Sequence, residues 1–141
     1  MAANFLMDSG AILAVLDQKD LWHGACAKAL HQLRLPALTS EAVLTELFHL
    51  IRRSRVETET AWAFLRAGGI QLGVIETNEW LYLQTLMIRY RNLPMDFADA
   101  TLVYLAGRES ISTVLTVDQK HFAAYRIHGK ARFRVLPVDR P

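Results

Sequence analysis

Residues 4–18 read NFLMDSGAILAVLDQ. The run opens with successive apolar residues, meets an aspartate at position 8, and continues as an apolar stretch of helical length. A short unbroken apolar segment suits a strand buried on both faces, and Ser9 just after it can cap a helix. A strand that ends on an acid and turns at once into a helix is half of a βα unit. Two questions follow: whether the rest of the chain repeats the unit, and what Asp8 faces.

The unit recurs. LPALTS (35–40) predicts a strand, with Ser40 capping a helix over EAVLTELFHLIRR (41–53). DLWHGACAKALHQL (20–33) places Leu21, Ala25, Ala29, Leu30 and Leu33 at helical spacing, and VETETAWAFLRAGG (56–69) predicts a helix stopped by Gly68 and Gly69. IQLGVI (70–75) predicts a strand, TNEWLYLQTLMIRY (77–90) a helix, and LPMDFADATLVYLA (93–106) a mostly buried helix reaching about Glu109. STVLTVD (112–118) predicts a β-branched strand ending at Asp118, and FRVLPV (133–138) a last strand. Strands alternating with helices predict an α/β fold, a central and mainly parallel sheet flanked by helices. We expect one domain over residues 1–141, with no linker.

Composition agrees. The chain has 141 residues, 52% hydrophobic and 21% charged, with few glycines and prolines, which excludes disordered, collagen-like and low-complexity classes. Cys26 is the single cysteine, so neither an intrachain disulfide nor a cysteine-based zinc site can form, in keeping with a reducing cytoplasm. The apolar N-terminus lacks a basic leader segment and is interrupted by Asp8. No apolar run approaches about 18 residues, so we expect no membrane span. A net charge of +2 does not by itself argue for nucleic acid. Its distribution is uneven: residues 1–117 hold 10 Lys/Arg against 12 Asp/Glu, and residues 118–141 hold 6 against 2. An acidic body therefore carries a basic tail.

The acids concentrate the chemistry. Asp8 and Asp118 each end a predicted strand, and in open parallel sheets the active crevice lies at the carboxyl ends of the strands. An aspartate after a strand is also a common turn-former or cap. Glu46 neighbours Val43 and Leu50 on its helix, at the margin of an apolar face. Asp96 and Asp99, at i and i+3, share a helix face in a first turn, where the helix dipole favours a carboxylate. That explanation strains for Asp99, hemmed by Phe97, Ala98, Ala100, Leu102 and Val103, with no basic residue before Arg108. Acids without internal counter-charge call for a cation, and hard divalent Mg²⁺ or Mn²⁺ suits oxygen ligands.

FLMDSGAILAVL (5–16), SEAVLTELFHLI (40–51), LPMDFADATLVYLA (93–106) and VLTVDQKHF (114–122) follow in an order and spacing that resembles the PIN-domain nucleases. They look in particular like the VapC-type ribonuclease toxins of prokaryotic toxin–antitoxin pairs, and the likeness runs from about residue 5 to the FRVLP strand. The resemblance implies a three-layer PIN-like fold and a metal-dependent endoribonuclease that hydrolyses RNA phosphodiester bonds, leaving 5′-phosphate and 3′-hydroxyl ends. It makes Asp8, Glu46, Asp99 and Asp118 the catalytic quartet around Mg²⁺ or Mn²⁺. Asp96, one turn earlier than the family's helix aspartate, is either a ligand or a cap. Ser9 and Thr116 match small hydroxyl positions that orient carboxylates. A small antitoxin laid across the groove, a homodimer formed through the N-terminal helices, and a cytoplasmic location are further implications.

Contact with RNA needs cations. Arg52, Arg53 and Arg55 follow the helix of Glu46, Arg53 lying two turns beyond it, roughly 10 Å along the axis. Arg89 and Arg91 flank Tyr90 in a mixture suited to single-stranded RNA, and Lys120, Arg126, Lys130, Arg132 and Arg134 follow Asp118. His121 also lies near Asp118. The tryptophans 22, 62 and 80 suit a core or a dimer surface. A haloacid-dehalogenase-like phosphatase needs a second aspartate where Gly10 stands, and a receiver domain needs an acidic pair where only Asp8 occurs. A catalytically silent PIN-like module for RNA binding or dimerisation is the remaining alternative.

Overall fold

The computed structural model describes residues 2–141. Five parallel strands form the sheet: β1 (Leu6–Met7), β2 (Ala37–Thr39), β3 (Ile70–Leu72), β4 (Thr113–Leu115) and β7 (Arg134–Leu136), in the order β3-β2-β1-β4-β7. Chain order steps outward from β1 to β2 and β3, then returns to the other side of β1 with β4. The switch point is therefore between β1 and β4, in register Leu6 to Val114 and Met7 to Leu115. Phe5, Leu6, Met7, Val114 and Leu115 are wholly buried, as expected for central strands covered on both faces. Parallel pairing requires crossover helices, here α1 (Ser9–Leu16), α2 (His23–Gln32), α3 (Glu41–Ile51), α4 (Thr58–Phe64), α5 (Trp80–Arg89) and α6 (Phe97–Arg108).

Helix α6 is the buried one. Ala98 to Val103, Leu105 and Ala106 are all buried, and the helix packs against both α3 and α5. Its link to α3 is polar and specific. The Thr101 hydroxyl donates to the Ala98 carbonyl at 2.6 Å, so the Ser40 hydroxyl, 2.7 Å away, donates to Thr101. Ser40 also accepts the Val43 N–H as the cap of α3. One serine thus starts α3 and fixes it to α6.

The sequence-based expectation differs from the structure at several boundaries. Asp8, not Ser9, caps α1: its backbone is extended and its side chain accepts the Ser9 N–H. Strand β4 stops at Leu115 instead of Asp118, because the Thr116 hydroxyl takes the Asp118 N–H and turns the chain. The helix expected over 56–69 ends at Phe64 in a wider turn, Leu65–Gly69, where Gly68 has φ 89°. The helix expected from Thr77 begins with a 3₁₀ turn, Thr77–Glu79. A short helix α7 (Gln119–Ala124) and an antiparallel pair, β5 (Arg126–Ile127) with β6 (Ala131–Arg132), lie in the basic tail and were not anticipated. Trp62 and Trp80 are exposed, whereas Trp22 packs against the core.

Gly10 lets α1 approach the loop after β4. A Cβ there would stand 2.5 Å from Val117 Cγ2. Gly10→Ala should therefore destabilise by about 1–3 kcal/mol despite the better helix propensity of alanine. Adding Val117→Ala should recover most of that loss in a urea titration. An unchanged midpoint for Gly10→Ala would show that the loop yields freely.

Candidate active site

Five acids gather at the carboxyl end of the sheet around the β1/β4 switch point, where open α/β sheets hold ligands. Asp8, directly after β1, accepts the Ser9 N–H at 2.8 Å on Oδ1 and the Thr116 hydroxyl at 3.1 Å on Oδ2. The same Thr116 oxygen accepts the Asp118 N–H at 3.0 Å. One buried hydroxyl therefore joins the acid after β1 to the acid after β4. The Ser9 hydroxyl reaches across to α3 and donates to Glu46 Oε1 at 3.0 Å, while its backbone N–H serves Asp8. Asp99, in the first turn of α6, is buried, and its Oδ2 accepts the hydroxyl of the fully buried Tyr125 at 3.0 Å. Asp96 is exposed and caps α6, accepting the Asp99 N–H at 2.8 Å. Asp118 pairs with His121 Nδ1 at 2.9 Å.

The acids repel one another. Burial, then repulsion from Glu46 and Asp118, pushes Asp8 up to about 6 despite the hydrogen bonds it accepts. Burial and the adjacent Asp96 push Glu46 up to about 7, against the bond from Ser9. Burial, Asp96 and Asp8 push Asp99 up to about 7, against the bond from Tyr125. Burial and the neighbouring Asp99 in turn push the Tyr125 hydroxyl up, keeping it a donor at neutral pH. No lysine or arginine ranks among the main influences on these three acids, and among the described residues none forms an ion pair with the cluster.

The donor set consists of carboxylate and hydroxyl oxygens, which suits a hard divalent ion. Uncompensated carboxylates with raised affinity for protons are also what a cation would relieve. Among the described residues, no group of three or more Asp, Glu, His or Cys side chains is drawn together tightly enough to hold a metal ion as it stands. The arrangement is an open ring of acids that fits such an ion in chemistry and charge.

The residues expected from sequence divide into two groups. Asp8, Glu46, Asp96, Asp99, Asp118, Ser9 and Thr116 converge. Arg52 and Arg53 lie exposed past the end of α3, Lys120 is exposed on α7, and Arg91 is exposed with its Nε donating to the Ile88 carbonyl. Arg89 lines a separate cavity with His128 and Gly129. Tyr125 was missed. Its signal was spacing: His121 and Tyr125 stand at i+3 and i+7 from Asp118, one face of a short helix.

The sequence model of the PIN domain matches residues 5–127, and the chain belongs to the PIN-domain family. Among relatives, it is 32% identical over 135 residues to Ribonuclease VapC26 of Mycobacterium tuberculosis, covering 94% of this chain and 99% of that protein. Two crystal structures share the fold. VapC20 of Mycobacterium tuberculosis, described as a sarcin–ricin loop cleaving toxin, superposes with a TM-score of 0.72 at 17% identity over 83% of this chain and 93% of that one. VapBC2 from Rickettsia felis, solved bound to a DNA fragment from its promoter, gives 0.64 at 15% identity over 93% and 97%.

The repulsion sets a stability test. A carboxyl whose folded-state value is raised destabilises the fold at high pH, and the penalty disappears as pH falls through the raised value toward the unfolded one. For Asp99 that window runs from about 7 down to 3.8. Asp99→Asn should therefore stabilise the metal-free protein at pH 8 by about 1–3 kcal/mol, with the gain gone near pH 4. Added Mg²⁺ should raise the melting temperature of the wild type more than that of the variant. A variant less stable than wild type at pH 8 would contradict the repulsion.

Tyr125→Phe removes one hydroxyl and keeps the ring packing. Losing a group that orients a metal-binding carboxylate typically costs about 10–100-fold in metal affinity or activity. We expect the Mg²⁺ concentration for half-maximal cleavage to rise by that order while KM for RNA stays level. An unchanged Mg²⁺ requirement would show that Tyr125 only packs.

Proposed function

We propose that this chain is a Mg²⁺- or Mn²⁺-dependent endoribonuclease and the toxin of a toxin–antitoxin pair. The observation that carries the reading is the convergence of Asp8, Glu46, Asp99 and Asp118 at one sheet switch point, with no lysine or arginine paired to them among the described residues. The 32% identity to a curated VapC ribonuclease over nearly the whole chain supports the same choice. A divalent ion held there would neutralise the phosphate, lower the pKa of the attacking water and stabilise the leaving oxygen.

The protein's own groups have separate tasks. Asp8, Asp99 and Asp118 would hold the ion. Glu46, half-buried and steadied by Ser9, would orient the attacking water. Thr116 and Tyr125 fix the carboxylates of Asp8 and Asp99, so little reorganisation accompanies each turnover. Asp96 keeps the start of α6 in place as its cap. A hollow of about 440 Å³ beside Glu46, Asp96 and Phe97 gives an RNA strand room next to Glu46. No helix among the described residues is long and apolar enough to cross a membrane, and the protein would meet its RNA in the cytoplasm. A small antitoxin partner, in keeping with the likeness to VapBC2 of Rickettsia felis, and a homodimer, as the resemblance to VapC-type toxins implies, complete the proposal.

The decisive assay is cleavage of total RNA with Mg²⁺ or Mn²⁺, the cut sites mapped by sequencing and the ends typed. We expect 5′-phosphate products, none with EDTA, and a loss of at least about 100-fold in Asp99→Asn, the scale of removing one essential electrostatic group. Metal binding without cleavage of any RNA would favour a silent binding module.

A further inference from the structure

Outside the acidic ring, the α5–α6 face carries a cavity of about 390 Å³ lined by Tyr82, Arg89, Tyr104, Arg108, His128 and Gly129, among others. Its floor is aromatic. Tyr82 and Tyr104 lie nearly parallel, at 16°, with ring centroids 5.5 Å apart, and Tyr82 is 60% exposed. Tyr104 is held from behind, its hydroxyl donating to Glu79 at 2.6 Å and Arg108 lying 6.0 Å over its ring. The acids nearest the cavity, Glu79 and Glu109, are both bound by Arg108. Arg89 has no acidic partner among the described residues.

The opposite wall is the β5–β6 hairpin. His128 and Gly129 have φ of 52° and 71°, and the Lys130 N–H closes the turn on the Ile127 carbonyl at 3.0 Å. His128 and Gly129, the two central residues of the turn from Ile127 to Lys130, are both left-handed, the geometry of a primed turn. The turn is pinned to α6 by the His128 Nε2–Gly107 carbonyl contact at 3.0 Å. Gly107 permits it, since a Cβ there would come within 2.8 Å of the imidazole. Gly129 leaves room for the Arg89 guanidinium, 3.3 Å from where its own Cβ would be. Between Asp118 and Asp139 this tail contains no acid.

The cavity is close to the acids. Val103, in its lining, is one turn beyond Asp99, roughly 6 Å along α6. Tyr90, next to Arg89, packs edge-on against Tyr125 at 5.1 Å, and Tyr125 bonds Asp99. Tyr90 and Tyr125 thus link the residue next to Arg89 to Asp99.

We propose that this cavity docks a flanking nucleotide of single-stranded RNA, its base stacked on Tyr82 and its phosphate held by Arg89, while another phosphate of the same strand lies at the acids. The proposal rests on the ribonuclease reading. A planar, half-exposed aromatic pair beside an unpaired arginine suits a base and its phosphate; an acidic peptide would use the arginine but not the stack.

The test measures binding of a labelled, mixed-sequence 12-nucleotide single-stranded RNA to the Asp99→Asn protein with Mg²⁺. Adding Tyr82→Ala or Arg89→Gln should weaken binding about 5–100-fold, and Tyr82→Phe should restore it. Arg89→Gln should also flatten the slope of log Kd against log salt by about 0.7, one phosphate contact on a single strand. Binding within twofold of the parent for both variants would overturn the pocket. So would variants that lose only a poly-glutamate peptide. If the wild type cuts no RNA, the ribonuclease reading fails on its own assay. If it cuts and the variants bind normally, only the pocket fails.

Discussion

Carboxylates that repel one another at the open end of a parallel sheet are the constraint on which this structure depends. Asp8, Glu46 and Asp99 are each pushed to about 6 or 7. At about 1.36 kcal/mol for each unit of pKa, burial and then repulsion make the buried Asp8 and Asp99 costly against a stability of roughly 5–15 kcal/mol, while solvent screens the half-buried Glu46. The cluster stands on the most buried framework of the molecule. Asp8 follows a wholly buried central strand, and Asp99 is carried by a helix buried on nearly every face. Hydroxyls substitute for cations inside the ring: Thr116, Ser9 and Tyr125 each donate to one carboxylate. A neutral donor steadies an acid without cancelling its charge, so the ring stays able to attract a cation.

That logic explains which parts were legible in the sequence. Strand-ending aspartates and a hemmed Asp99 are visible because both burial pattern and βα alternation are local properties. The convergence of Asp8 and Asp118 follows from the topology of a parallel sheet, which alternation predicts. The partners of the acids depend on rotamers and on contacts between distant segments, which a periodicity does not encode. Ser9 was expected to orient an acid, but its spatial neighbour on α3 was hidden. Strand β4 was read too long because Val117 and Thr116 are strand formers, whereas the Thr116 hydroxyl competes with the ladder for the Asp118 N–H. The hairpin escaped notice because its turn reads His-Gly rather than Asn-Gly or Asp-Gly, and helix α7, at six residues, is too short to show a period.

Cations are kept out of the ring, and Arg126 shows that one can still serve it. Its guanidinium donates to the carbonyls of Ala123, Ala124 and Tyr125 at 2.9, 3.0 and 3.0 Å. These oxygens lie at the C-terminal end of α7, where a helix presents unpaired acceptors and partial negative charge. The Arg126 N–H is itself held by the Tyr90 hydroxyl at 3.0 Å, and Tyr90 packs against Tyr125. The positive charge therefore fixes the segment from which the Tyr125 hydroxyl reaches Asp99, without touching the carboxylate. Moved into direct contact with Asp99, an arginine would pair the acid, lower its pKa and occupy the place of a metal. Acting through the backbone of α7, it keeps the geometry and leaves the negative charge uncompensated. The acid-poor tail and the acidic body thus work as one unit: the tail supplies donors and support, and the body keeps the unbalanced charge that a cation answers.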